Sequence, residues 1–557
     1  MTPTALLVLV VVLAVGGGLA LILRPRSAST IDYYLAGQRV GVVTNATAIC
    51  GDYISAASFL GVAAAVYAGG LDGTWYAAGF AAGFVPVVLF VAAPLRRFGG
   101  FSVPDFLGRR MESSAVRLTA VAVVLTVIIA YVLPQVVGSG LTWQLLTDVT
   151  LPGLDTYGTG VVVSTTTITA LVMGGGMRGT TWTQAVQFIG LLVVLIWLSG
   201  VVVQSGFSYP QAITDLADQP LTQVVTEGGV TQARLTPNLL RPDEPARFGR
   251  PGGRTDAIGQ LGLFLTLVLG TSGLPHVLNR FFTAPTGRSA RTTAMWVLVF
   301  ASSFYVLAVM LGTAARSLLA DAAGANPWLA DLMVDGVLVV PEQSLLALGR
   351  LYGGGIGLGM VATGALIAVM STMAGLLLSA AASVGHDVYE QHVNPQATPR
   401  QAVTAGRMAV AAVALIAMVV ALAVGPQIVD GRFSSLIAQM VTWALAIAGS
   451  ALTPVLLLAM WWPRASAAGL CAGMATATVL AVGMIGVGIA TEAPATGTGA
   501  LLLTPTPVVA LVNLTVAVAV SLRTRPPAGT DAAMVRMHGT GADRRAEALA
   551  SLTIRGL

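Results

Sequence analysis

Ala48-Ile49-Cys50-Gly51-Asp52-Tyr53-Ile54-Ser55-Ala56-Ala57-Ser58 lies inside an otherwise apolar run, Val42–Ala68, that is long enough to cross a bilayer. An ionisable side chain at membrane depth costs about 2.5–3.5 kcal/mol on insertion scales, so Asp52 marks function or a strong local need. Gly51 weakens the helix beside it. A second interruption, Gly270-Thr271-Ser272-Gly273-Leu274-Pro275-His276, falls inside the apolar run Ile258–Phe282. Two glycines and a proline there oppose a continuous helix. Thr271 or Ser272 can cap a helix that restarts at Pro275, a favoured first position. A lone Gly/Pro break is more often a packing kink. Two breaks in corresponding positions, one with a buried aspartate, are how transporters build midplane binding sites.

Counting outward from these breaks gives thirteen apolar stretches, numbered here as spans one to thirteen. They run about Thr4–Leu23, Val42–Ala68, Trp75–Leu95, Leu118–Leu146, Thr156–Gly174, Trp182–Val203, Ile258–Phe282, Thr292–Leu318, Gly355–Ala381, Met408–Val424, Ser434–Trp461, Ala467–Ile489 and Leu501–Leu522. The breaks fall in spans two and seven, five apart, which suits a five-plus-five inverted repeat with one helix before it and two after. Of the 557 residues, 55% are hydrophobic and only 10% charged. That is too little charge to wet a soluble surface. A soluble enzyme, a disulfide scaffold and a disordered chain are excluded, and an all-α polytopic membrane protein remains. Strand content is expected to be negligible, because open sheet edges are not satisfied in lipid.

The 29 basic residues are all arginine. With an outside N-terminus, one side collects Arg24, Arg26, Arg39, Arg96, Arg97, Arg109, Arg110, Arg117, Arg178, Arg280, Arg288, Arg291, Arg400, Arg407, Arg464 and the tail arginines. The other side holds Arg316, Arg350, Arg432 and five in a polar loop at 205–256. The bias places the first side and the C-terminus in the cytoplasm. Residues 1–525 then form one transmembrane domain and 526–557 a cytoplasmic tail. Loop and tail are each long enough for a short helix and too short for a catalytic domain. Span one has no basic residue ahead of it and reads as a retained helix, not a signal peptide. Charge spread over short loops gives no nucleic-acid surface.

Other features carry less. Adjacent hydroxyls at Ser371 and Thr372, and the run Ser164–Thr167, commonly bond the carbonyl one turn back. The glycines from Gly353 to Gly359 suit close helix packing and lack the lysine of a phosphate loop. Arg280, one turn beyond His276, is expected to snorkel to the membrane boundary. Cys50 and Cys471 both lie in apolar stretches and build neither a disulfide framework nor a zinc site.

Several segments together resemble the sodium:solute symporter family. Asp32-Tyr33-Tyr34-Leu35-Ala36-Gly37 is similar to its start. Gly51-Asp52-Tyr53-Ile54-Ser55-Ala56-Ala57-Ser58-Phe59-Leu60-Gly61 and Gly273-Leu274-Pro275-His276-Val277-Leu278-Asn279-Arg280-Phe281-Phe282 resemble its acetate permease branch. Phe101–Leu107 and Thr181–Gln184 fit the same family at its turns. The likeness covers about residues 30–525 and implies a LeuT-like fold. It also implies a sodium site of carbonyls from Gly51, Ile54 and Ala368 with hydroxyls from Ser371 and Thr372. A hard cation wants such oxygen ligands.

The resemblance implies a secondary active symporter for small monocarboxylates (acetate, propionate, pyruvate) in a bacterial cytoplasmic membrane. Its partners are then the carboxylate, sodium or a proton, and the lipid bilayer, with no cofactor beyond the coupling ion. Asp52, Tyr53, Ser58, Ser272 and His276 are the candidate substrate residues. A proline, pantothenate or sugar substrate is the alternative, but Ala57 and Ser58 are small and plain for a sugar. A channel would need charged rings or carbonyl filters that the sequence lacks. Asp52 has two possible roles, a fixed charge near the cation or a neutral group that carries a proton; the second is favoured because a fixed charge would repel a carboxylate.

Overall fold

The computed structural model describes residues 35–38, 40–227, 230–253, 255–424 and 433–539. Span one, Asp32 to Tyr34, Arg39, Arg254, Arg432 and the end of the tail lie outside them. Eleven helical runs among the described residues are long and apolar enough to cross a membrane. They account for spans three to thirteen together with the second half of span two. That half joins span three in one run, Ala57–Phe98, through a tight turn at Gly70–Gly73. Gly70 has φ +61°, a conformation that glycine adopts without a Cβ penalty.

The breaks stand where the sequence places them. Span two is a helix Val42–Tyr53, then an extended Ile54 (φ −77°, ψ 92°), then a restart through one wide turn, Ala57–Gly61, into Val62–Gly69. Span seven is Ala257–Gly273, an extended Leu274 (φ −67°, ψ 113°), and Pro275–Asn279. Span eleven is also divided, into Leu436–Ala451 and Thr453–Trp461, with Pro454 in the first turn of the second part.

Small residues set how closely these spans approach, since lipid offers no hydrophobic drive between helices. Gly270 of span seven faces Gly449 of span eleven, where a Cβ on Gly449 would lie 2.7 Å from the Gly270 amide. The Gly353–Gly359 cluster does more than pack. A Cβ on Gly353 would press on the Trp197 ring at 2.7 Å, but Gly354 sits at φ +57° and breaks the helix ahead of span nine.

The 205–256 segment carries the expected short helix, Tyr209–Leu216, and also an antiparallel hairpin, Thr222–Glu227 with Val230–Leu235. A two-residue pair, Met333–Val334 with Val337–Leu338, follows span eight. Both lie outside the spans, where edges can be wetted. Gly252 N donates to Asp72 Oδ1 at 2.7 Å and Leu71 N to Phe248 O at 3.0 Å, so the loop is fastened to the turn between spans two and three. On the opposite face, the helix Val103–Arg110 crosses between spans three and four, and the tail helix Thr530–His538 docks beside it. Arg97 Nη1 donates to Met537 O at 3.1 Å, and the His538 ring meets Met460 O at 2.7 Å.

Candidate functional site

The first break frees backbone groups that must find partners elsewhere. The Ala56 amide donates to Gln135 Oε1 of span four at 3.0 Å. Thr372 Oγ1 of span nine donates to the Asp52 carbonyl at 2.7 Å. The break is therefore held between spans four and nine. It is held tightly: a Cβ on Gly51 would collide with the Gln184 carbonyl of span six, and one on Gly375 with the Asp52 carboxylate.

Arg280 corrects the sequence reading. It does not snorkel; its side chain and that of Asp52 are each 1% exposed, and Arg280 Nε donates to Asp52 Oδ2 at 2.9 Å. Its other nitrogens bond Thr181 Oγ1 at 3.0 Å and Gln184 Oε1. The guanidinium turns inward because Asp52, Thr181 and Gln184 together give it what the membrane boundary would have given. It links both breaks to span six.

Among the five sodium candidates the contacts fall mainly within span nine, where Ser371 and Thr372 follow one turn beyond Ala368. Ser371 Oγ donates to the Ala368 carbonyl at 3.1 Å, and the Ser371 carbonyl accepts from Gln184 Nε2 at 2.6 Å. Of the two hydroxyls only Thr372 reaches across to span two, and its partner there is the Asp52 carbonyl.

The substrate candidates divide. Tyr53 Oη donates to the Phe80 carbonyl at 2.8 Å and lies 2.9 Å from Thr271 Oγ1. Ser58 Oγ pairs with Tyr305 Oη at 2.8 Å, and Ser272 Oγ donates to Val268 O at 3.0 Å and to Gly83 O at 3.3 Å. These three are engaged by protein. His276 is not: it is 1% exposed, and neither ring nitrogen has a hydrogen-bond partner. Asp52 Oδ1, Ser55 Oγ and Gln135 Nε2 are likewise buried without partners. The Tyr131 ring lies 5.5 Å from that of His276.

Gln135 and Tyr131 were missed because span four looks like ordinary apolar helix. The available signal was an amide directly after Pro134 in the middle of a span.

The two faces differ. On the side of the 205–256 loop a cavity of about 360 Å³ is lined by Tyr76, Thr236, Phe433, Gln439 and Leu503 among others. Tyr76 Oη donates to Gln439 Oε1 at 3.1 Å. On the opposite side Asn279, just past His276, accepts from the Val103 amide at 3.0 Å and donates to Ser379 Oγ at 3.1 Å. That pairing sews span seven to the crossing helix and to span nine.

Residues 33–477 match the model of the sodium:solute symporter family. A monocarboxylic acid transporter of Corynebacterium glutamicum is 31% identical over 466 residues, 82% of this chain and 79% of that one. In fold, the chain is similar to a substrate-bound, outward-open Na+-coupled sialic acid symporter. That match has a TM-score of 0.67 at 15% identity and covers 94% of this chain and 98% of the other. A nucleobase–cation symport-1 family transporter, closed with bromovinylhydantoin bound, matches at a TM-score of 0.54 and 14% identity, covering 92% of this chain and all of that one.

Proposed function

Because this chain belongs to the sodium:solute symporter family, we propose that it takes up small monocarboxylates, such as acetate, propionate or pyruvate, with sodium as the coupling ion. Membership makes it a multi-pass, cation-coupled symporter and not an enzyme. The carboxylate and the choice of ion are the proposal.

The observation that carries it is the set of unpartnered polar atoms at the break: both nitrogens of His276, Ser55 Oγ and Gln135 Nε2. Buried polar groups are normally satisfied, and leaving one unmade costs about 1–3 kcal/mol. The amide nitrogen is a donor and the hydroxyl can be one, which suits the two acceptor oxygens of a carboxylate. The neighbouring apolar residues, Ala57 among them, leave little to bind a hydroxyl-rich solute. The relative named as a monocarboxylic acid transporter supports the same class.

Sodium is favoured over a proton by the Asp52–Arg280 pair. Asp52 is committed to the buried Arg280 guanidinium, so its side chain serves the protein's own arginine. Ser371, Thr372 and the carbonyls of Gly51, Ile54 and Ala368 supply neutral oxygens for the ion. The arginine bias orients the 205–256 loop outward and the tail toward the cytoplasm of a bacterial cell.

Labelled acetate uptake into proteoliposomes tests the reading. Accumulation should follow an imposed inward sodium gradient and be competed by propionate and pyruvate. Accumulation driven by a pH gradient alone in excess of that in protein-free liposomes, which acetic acid itself permeates, or no competition by these acids, would overturn it.

A further inference from the structure

On the face of the tail helix, away from the breaks, Asp105, His386 and Asp387 converge. One ligand atom from each lies within 4.8 Å of the others, and all three residues are buried. We infer that they form a binding site for a divalent first-row transition ion such as Zn2+.

The arrangement is built by two elements that meet only in the fold. Asp105 sits in the first turn of the crossing helix, which Ser102 caps by accepting from the Asp105 amide at 3.0 Å. His386 and Asp387 sit on Ser383–Val393, where span nine winds more widely than an α-helix for eleven residues. Such wide turns are rare and concentrate at functional positions. Here the turn brings two consecutive side chains to one side.

His386 has the orientation of a metal-binding histidine. Its Nδ1 is 2.9 Å from Glu390 Oε2, the outer-shell carboxylate that fixes tautomer and ring direction, and its Nε2 points toward Asp105 Oδ1. That last distance is 3.9 Å, too long for a hydrogen bond. Asp387 Oδ2 accepts from Ser102 Oγ at 2.6 Å, while its Oδ1 is fully buried with no partner. A buried carboxylate oxygen without a donor, beside an aimed imidazole nitrogen, is a place for a cation.

Three acidic side chains, Asp105, Asp387 and Glu390, surround the His386 ring, and Arg117 Nη2 lies 3.1 Å from Asp105 Oδ1. Arg109, 3.8 Å from Asp105 Oδ2, is 44% exposed and screened. His392 meets the Asp387 carbonyl through Nδ1 at 3.0 Å and brings no negative charge. One imidazole with two carboxylates favours Zn2+, Co2+ or Mn2+ over sodium or calcium, which take oxygen alone. An ion here would pin the crossing helix to span nine beside the Asn279 contacts.

The test is titration of the purified, metal-stripped protein in detergent with Zn2+ by calorimetry, and with Co2+ by its visible absorption. One ion per chain is expected. H386Q should weaken binding at least tenfold, E390Q about 10- to 100-fold, and H538Q not at all. D387N tests the orphaned oxygen, and E390Q covers the case in which D387N fails to fold, because Glu390 is partly exposed. No stoichiometric ion in the wild-type protein, or an affinity unchanged by H386Q, would overturn the site.

Discussion

Replacing Arg280 by Gln would take from the buried Asp52 its main partner. Breaking a buried ion pair from one side costs about 3–5 kcal/mol, because the remaining charge keeps its desolvation penalty. Here the upper half of that range applies. Both side chains are 1% exposed, and Arg280 also serves Thr181 and Gln184. At 1.4 kcal/mol per tenfold, the folded population should fall about three powers of ten against its unfolded competitors. The reasoning makes a second demand. Asp52→Asn removes the charge that Arg280 leaves behind, so the double variant, Asp52→Asn with Arg280→Gln, should recover much of the loss. The assay is the thermal midpoint of each variant by fluorescence-detected size exclusion from membranes, read as ranking among the four proteins. Arg280→Gln with a wild-type midpoint, or a double variant no better than the worse single one, would refute the view that the pair is held by mutual neutralisation.

Three further outcomes follow from the site. Ser371→Ala with Thr372→Val should raise the half-saturating sodium concentration of acetate uptake several-fold with expression intact; unchanged cation dependence would remove both hydroxyls from the ion site. Gln135→Leu should raise the KM for acetate about tenfold or more, the size expected for one lost bond to a charged ligand, whereas Ser272→Ala, whose hydroxyl is engaged within the protein, should move it by less than about threefold; equal effects would break the distinction drawn between free and engaged groups. Gly375→Ala should abolish uptake with near-normal membrane insertion, because its Cβ collides with the Asp52 carboxylate; full activity would show that span nine can retreat there.

What the sequence discloses follows the range of the interaction. Both breaks were legible because their causes are local: Gly51 with Asp52, and Gly273 with Pro275, interrupt a helix wherever it packs. The positions of spans two to thirteen were legible for the same reason. The direction of Arg280 was not, since its partner lies 228 residues away and arginine beside a span end ordinarily reaches for water. Gln135 was hidden by the plain apolar pattern around it. Ser102 and Asp105 stood in a segment that resembled the family, yet nothing in one dimension says that a helix between spans three and four meets Asp387 at the end of span nine. The hairpin in the 205–256 loop was missed because polar, proline-bearing sequence reads as irregular until a partner strand is seen.

The distance between Asp52 and Arg280 along the chain also sets an order of events during synthesis. Span two leaves the ribosome with its carboxylate long before span seven exists, so for the time needed to make more than two hundred residues it has no arginine to meet. At about 5–20 residues per second that interval is on the order of ten to forty-five seconds. A span carrying Asp52 and a broken ladder is a poor lodger in bare lipid. The Asp52–Arg280 contact therefore forms only after span seven has been made, and a chain that stalls before that point lacks the arginine that meets Asp52 in the folded protein.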